Sequence, residues 1–161
     1  MIIYKMIFHL NAIIKKVFLK MVYGKKIKFG KKVSFRRRFN LAIDKNGFVK
    51  IGDNVFFNND CSINAMDEIV IGSDSIFGES VKIYDHNHVF KDKSKLIKNQ
   101  GFKTGKISIG SNCWIGSNVI ILKGVTIGNN CVIGAGCIID KDISSNSIVK
   151  GKREYIIEGI N

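Results

Sequence analysis

Residues 109–139 read Ile109-Gly-Ser-Asn-Cys-Trp, Ile115-Gly-Ser-Asn-Val-Ile, Ile121-Leu-Lys-Gly-Val-Thr, Ile127-Gly-Asn-Asn-Cys-Val, Ile133-Gly-Ala-Gly-Cys-Ile, then Ile139. An isoleucine returns at every sixth residue without a slip. Upstream, the same period is kept by Phe29, Phe35 and Leu41, by Ile51, Phe57 and Ile63, and by Ile71, Phe77 and Ile83. Glycine follows the lead residue at positions 30, 52, 72, 78, 110, 116, 128 and 134, so one repeat position takes eight of the 16 glycines. The fifth position is apolar as well: Val33, Phe39, Val55, Cys61, Val81, Cys113, Val119, Val125, Cys131, Cys137 and Ile143. Self-similarity at a fixed six-residue period predicts an all-β solenoid, a parallel β-helix in which each hexad is one short strand and one turn. Positions one and five should face the shaft, and glycine should supply turn conformations that a Cβ would obstruct.

All four cysteines sit at the fifth position. They are expected to be small buried hydrophobes, free and unreactive. Four in 161 residues are too few for a disulfide scaffold, and no Cys-x-x-Cys pair offers a metal site. They suggest a reducing compartment, and a cytoplasmic location is expected. Proline is absent, which excludes collagen-like segments and cis-proline turns.

Charge is lopsided. The net charge is +13, yet residues 1–38 contain twelve Lys and Arg and no acid, leaving the remainder at about +1. Within this end Ile3, Ile7, Leu10, Ile14, Val17 and Met21 recur at helical spacing, widened by Ile2, Met6, Ile13 and Phe18. Lysines interrupt the apolar run long before the ~20 residues of a membrane span, and no small-residue cleavage site marks a signal peptide. Two uses of the stripe stay open: packing on the body of the protein or a partner subunit, or lying on an anionic membrane surface at the inner face of the membrane. Residues 1–26 are thus read as a basic amphipathic helical segment, 27–145 as the solenoid and 146–161 as a closing segment.

Breaks in the period locate the chemistry. The largest runs from Val89 to Lys106, and a loop that long in a solenoid is usually functional. Just before it lies the hexad Ile83-Tyr84-Asp85-His86-Asn87-His88, with two of the three histidines in the chain. The period puts Asn87 toward the shaft and His86 and His88 outward. An imidazole is the natural base for a hydroxyl at neutral pH, and Asp85 is placed to orient one.

The run with Trp114-Ile-Gly, Gly124-Val-Thr-Ile-Gly and Val132-Ile-Gly-Ala-Gly closely resembles the hexapeptide-repeat acyltransferases, nearest to the maltose and galactoside O-acetyltransferases and the capsule or O-antigen O-acetyltransferases. The resemblance covers about residues 29–151. It implies a left-handed β-helix, acetyl-CoA as co-substrate without a metal, a homotrimer with sites between chains, and the extruded loop as a lid. It implies His88 as the base, with His86 accessory. It also places Trp114, Ser117, Ala135 and Lys141 against coenzyme A, and Asn59 and Asp60 near the sugar. Three positions depart from the family pattern: Val89 replaces a proline, Asp140 replaces a small hydroxyl residue, and Gly151-Lys-Arg-Glu-Tyr replaces the usual closing turn, where Lys152 and Arg153 could offset lost contacts. The expected reaction is O-acetylation of a sugar in surface polysaccharide biosynthesis. N-acetylation of an amino-sugar nucleotide and a purely structural solenoid are the alternatives. A zinc enzyme of the same fold would need a third histidine on the helix. A nucleic-acid partner is not expected, because no aromatic platforms interleave with the bases.

Overall fold

The computed structural model describes the backbone of residues 2–152 and the side chains of residues 10–152. The early part of the apolar stripe (Ile2, Ile3, Met6 and Ile7), Arg153 and most of the closing segment therefore lie outside the described side chains. A helix, Ile2–Tyr23, and a short 3-10 turn, Gly24–Lys26, precede a left-handed parallel β-helix of about six turns.

The solenoid is a three-sided prism. The first face stacks Ile27–Phe29, Phe48–Ile51, Glu68–Ile71, Ile107–Ile109 and Thr126–Ile127. The second stacks Ser34–Phe35, Phe56–Phe57, Ile76–Phe77, Trp114–Ile115, Val132–Ile133 and Ile148–Val149. The third stacks Asn40–Ile43, Ser62–Ala65, Lys82–Tyr84, Ile120–Ile121 and Ile138–Ile139. Every pairing in these sheets is parallel, and inward residues stack on inward residues: Ile51 beside Ile71, Phe57 beside Phe77, Ile121 beside Ile139. Apart from Phe29, which is half-buried, the lead residues down to Ile139 are buried, and so are the fifth-position residues down to Cys137. Each is worth roughly 1.5–3 kcal/mol, so the ladder itself is the core. Near the N-terminal end the axis is filled by stacked phenylalanines, with Phe57 and Phe77 at 4.5 Å and Phe35 and Phe39 at 4.3 Å.

Two expectations about the repeat are corrected. The glycine after each lead residue is not the residue that bends the turn. None of those eight glycines has a positive φ. They are required because successive coils nearly touch: a Cβ on Gly72 would sit 2.6 Å from the backbone of Gly110 and Ser111. The left-handed turn residue is instead the fourth of the hexad: Asn54, Asp74, Asn112, Asn118 and Asn130 have φ between 55° and 62°, and Gly124 and Gly136 have φ of 81° and 72°. Asn112, Asn130 and Asn146 also join successive coils through side-chain hydrogen bonds of 2.9 and 3.0 Å. Second, Ile143 is not a fifth-position residue. The last corner is two residues shorter than the others, and Ile143 bridges Ile127, in the lead column of the first face.

The helix covers the N-terminal end of the prism. Its docked side is narrow: Ala12 and Leu19 are buried, Tyr23 Oη donates to Leu41 O at 2.9 Å, and Lys15 Nζ donates to Phe39 O. The first coil has no coil before it, and these two donors meet carbonyls that its open edge would otherwise expose. Desolvation there lowers the Lys15 pKa from its ordinary value. The described part of the wide apolar stripe does not pack on the body. Leu10, Ile13, Ile14, Val17, Phe18, Met21 and Val22 are each more than half exposed.

Candidate active site

The third face of the first three coils ends in an inward column: Ile43, Ala65, Asp85. The first two are apolar; the third is a fully buried carboxylate. A buried charge needs partners, and Asp85 has them. Its oxygens accept from Met66 N at 2.8 and 3.0 Å and from Asp67 N at 2.8 Å, both in the corner of the coil before. The remaining capacity of Asp85 Oδ1 is met by His86 Nδ1 at 3.0 Å. A carboxylate can only accept, so in neutral His86 the proton lies on Nδ1 and Nε2 keeps its lone pair.

At His86 the chain leaves the shaft. His86–His88 pairs antiparallel with Phe102–Thr104, and Gly105 N closes back on Asp85 O at 2.8 Å. The excursion is therefore a hairpin that begins three residues earlier than the period suggests. Asn87 is exposed on it and does not face the shaft; Asp85 is the polar residue that does. The tip is self-supporting, with Gln100 bridging Asp92 and Lys95 backbone groups and Asp92 accepting from Ser94. Those bonds and Lys95 hold the Asp92 carboxyl below its ordinary range. Phe102 stands against both imidazoles, edge-on to His86 at 5.4 Å and tilted to His88 at 4.4 Å.

The two histidines are thus unlike. His86 is half-buried and fixed by Asp85; His88 is exposed, and its side chain has no hydrogen-bonded partner among the described residues. His86 also borders an open groove of about 360 Å³, walled by Tyr23, Asp44, Asn64 and Met66. That lies at the lower end of the roughly 300–1,000 Å³ usual for small-molecule sites.

The other expected site residues fall on different parts of the prism. Asn59, Asp60, Ser117 and Ala135 share the edge between the second and third faces. Lys141 lies on the edge between the third and first faces, the edge of Asp85 and His86, two coils further on. Trp114 stands 56% exposed on the second face, beside Ile76 and Val132. Asn59 and Asp60 are engaged in joining coils. Asn59 accepts from Arg37 N at 3.2 Å and donates to Glu79 at 2.9 Å, while Asp60 forms a two-pronged ion pair with Arg38. That guanidinium lowers the Asp60 pKa. Ser117 Oγ accepts from Glu79 N at 3.2 Å, and Ala135 and Lys141 are exposed. A single chain does not bring these positions together.

Phe102, Tyr23 and the amides of Met66 and Asp67 were not legible as site members. Their only signals were the eight-residue step between Ile63 and Ile71 and the length of the loop.

A left-handed prism of hexads is the build of the hexapeptide-repeat acyltransferases, and the chain belongs to that family. The family model described as bacterial transferase hexapeptide (six repeats) matches residues 106–141. The chain is 37% identical over 139 residues to galactoside O-acetyltransferase of Escherichia coli, covering 86% of this chain and 57% of that protein. It is 32% identical to the maltose O-acetyltransferase of Clostridium difficile, with TM-score 0.67 over 80% of this chain and 67% of that one. A hexapeptide-repeat acetyltransferase of Vibrio cholerae, crystallised with acetyl coenzyme A, is 25% identical with TM-score 0.68 over the same shares. The chain spans little more than half the length of the curated relatives it matches.

Proposed function

We propose that the protein is an acetyl-CoA-dependent O-acetyltransferase acting on a sugar hydroxyl in the cytoplasmic assembly of a surface polysaccharide, with His86 as the general base. The observation that carries the assignment is the Asp85–His86 pair beside the groove. Likeness to the galactoside and maltose O-acetyltransferases supports a sugar as the acceptor. The resemblance in sequence favours His88 as base. The geometry favours His86, because only its Nδ1 is held by a buried carboxylate, which leaves Nε2 its lone pair, and because His86 borders the groove.

The acyl thioester supplies the electrophilic carbonyl. His86 Nε2 takes the proton of the acceptor hydroxyl as its oxygen forms the new C–O bond. Asp85 stabilises the resulting imidazolium. As the C–S bond breaks, the imidazolium returns the proton to the departing sulfur. The cysteines take no covalent part, being inside the shaft. Ser117, Ala135 and Lys141 are the residues to hold coenzyme A, with Trp114 near its thioester end. Because they lie on two edges, a homotrimer that sets one copy's edge against its neighbour's is the assembly that would complete the site. Phe102, on the hairpin, fixes both imidazoles in place.

The test is coenzyme A release against a panel of sugars, nucleotide sugars and polysaccharide fragments. Release should require a hydroxylated sugar and be lost in His86→Ala protein that still folds. Release only with amino sugars would instead make the enzyme an N-acetyltransferase. No acceptor-dependent release from any panel member would refute the reading.

A further inference from the structure

We propose that the N-terminal end of the prism is a docking surface for an anionic phospholipid bilayer. Among its described side chains, the helix Ile2–Tyr23 docks a small face holding Ala12 and Leu19, and its broad apolar face points away from the protein. At about 100° per residue, Leu10, Ile13, Ile14, Val17, Phe18, Met21 and Val22 span an arc directed opposite to Ala12 and Leu19. Their exposures run from 54% to 77%. No described helix is long and apolar enough to cross a membrane, so this face can lie on a bilayer but not span it.

The charge around the arc selects the partner. Lys20, Lys25, Lys28, Lys31, Lys32, Arg36 and Arg37 are exposed on the helix end and the first coil, which the helix covers. The segment 1–38 holds twelve bases and no acid. A dry ridge ringed by cations matches an anionic interface, where acyl chains receive the ridge and headgroups receive the cations. A second copy docked end to end would set two such cationic ends against each other. The helix also supplies Tyr23 to the groove beside His86, so docking brings that groove near the headgroups, where a lipid-anchored acceptor would be presented. The surface stands whether or not the acetyl-transfer reading does, and its readout is binding alone.

The experiment is co-sedimentation of the full chain with vesicles of phosphatidylcholine, with and without about 30% phosphatidylglycerol. The expected result is at least ~10-fold tighter partition onto the anionic vesicles, weakened by salt. Val17→Glu/Met21→Glu should lower it by ~10-fold or more with no change in melting or oligomeric state. Lys31→Gln/Lys32→Gln/Arg37→Gln should abolish the preference for anionic lipid without touching the ridge. Equal partition onto neutral vesicles, no binding to either, or unchanged binding of both variants would overturn the proposal. Loss of oligomers in Val17→Glu/Met21→Glu would overturn it too, showing that a second copy occupies the ridge.

Discussion

A single side chain separates the site from the rest of the shaft. In the column Ile43, Ala65, Asp85, the third residue replaces a hydrocarbon with a carboxylate that satisfies two corner amides and one imidazole at once. The cysteines show the opposite treatment of a titratable group. Cys61, Cys113 and Cys131 donate to carbonyls of the neighbouring coil at 3.1–3.2 Å, and burial pushes the Cys61 thiol up to about 11. At pH 8 a thiol of that pKa is thiolate in roughly one molecule per thousand. Thiol-specific reagents should therefore leave Cys61 unmodified in folded protein and react fully after denaturation; rapid native-state labelling would contradict the burial. Because the folded pKa is raised, the folded state holds this proton more tightly than the unfolded chain. Its stabilising contribution is complete below pH 9 and is lost as pH rises from 9.0 toward about 11. Urea midpoints measured across that range should fall.

At the scale of the element, the repeat divides its labour between two positions. The second position gives close approach and the fourth gives the left-handed turn. Gly72→Ala should cost about 1–3 kcal/mol, because rigid backbone stands 2.6 Å from the new Cβ and the coils must part. Asn130→Ala should cost about 1–2 kcal/mol for the left-handed backbone, plus the hydrogen bonds to Asn112 and Asn146. Denaturant titration of both variants checks this; a neutral Gly72→Ala would mean that coil spacing is not what selects glycine there. The period made the columns legible at once, because a buried residue at every sixth place leaves a mark in the sequence. It misassigned the glycine because a turn and a close approach both select the same residue. It turned Asn87 inward because nothing in a hexad count announces that the chain leaves the coil at His86. The helix was legible as amphipathic, but which side docks is decided by the end of the prism. That end needs donors for Phe39 O and Leu41 O, and Lys15 and Tyr23 supply them from the narrow side.

At the scale of the whole molecule, twelve bases are gathered in residues 1–38, the helix and first coil, the remainder of the chain is at about +1, and a hairpin with two histidines lies partway along one edge. The candidate contacts for coenzyme A lie on two edges and one face, which a single copy keeps apart. The helix and the groove share Tyr23, so the exposed apolar face and the candidate site meet at one corner. Acetyl-transfer rates of His86→Ala and His88→Ala, compared with the wild type on the same acceptor, test the role of His86 as base most directly. The expected result is a loss of roughly 10²–10⁴-fold in kcat for His86→Ala and a much smaller change for His88→Ala. Near-normal turnover in His86→Ala, or the full loss in His88→Ala alone, would contradict it.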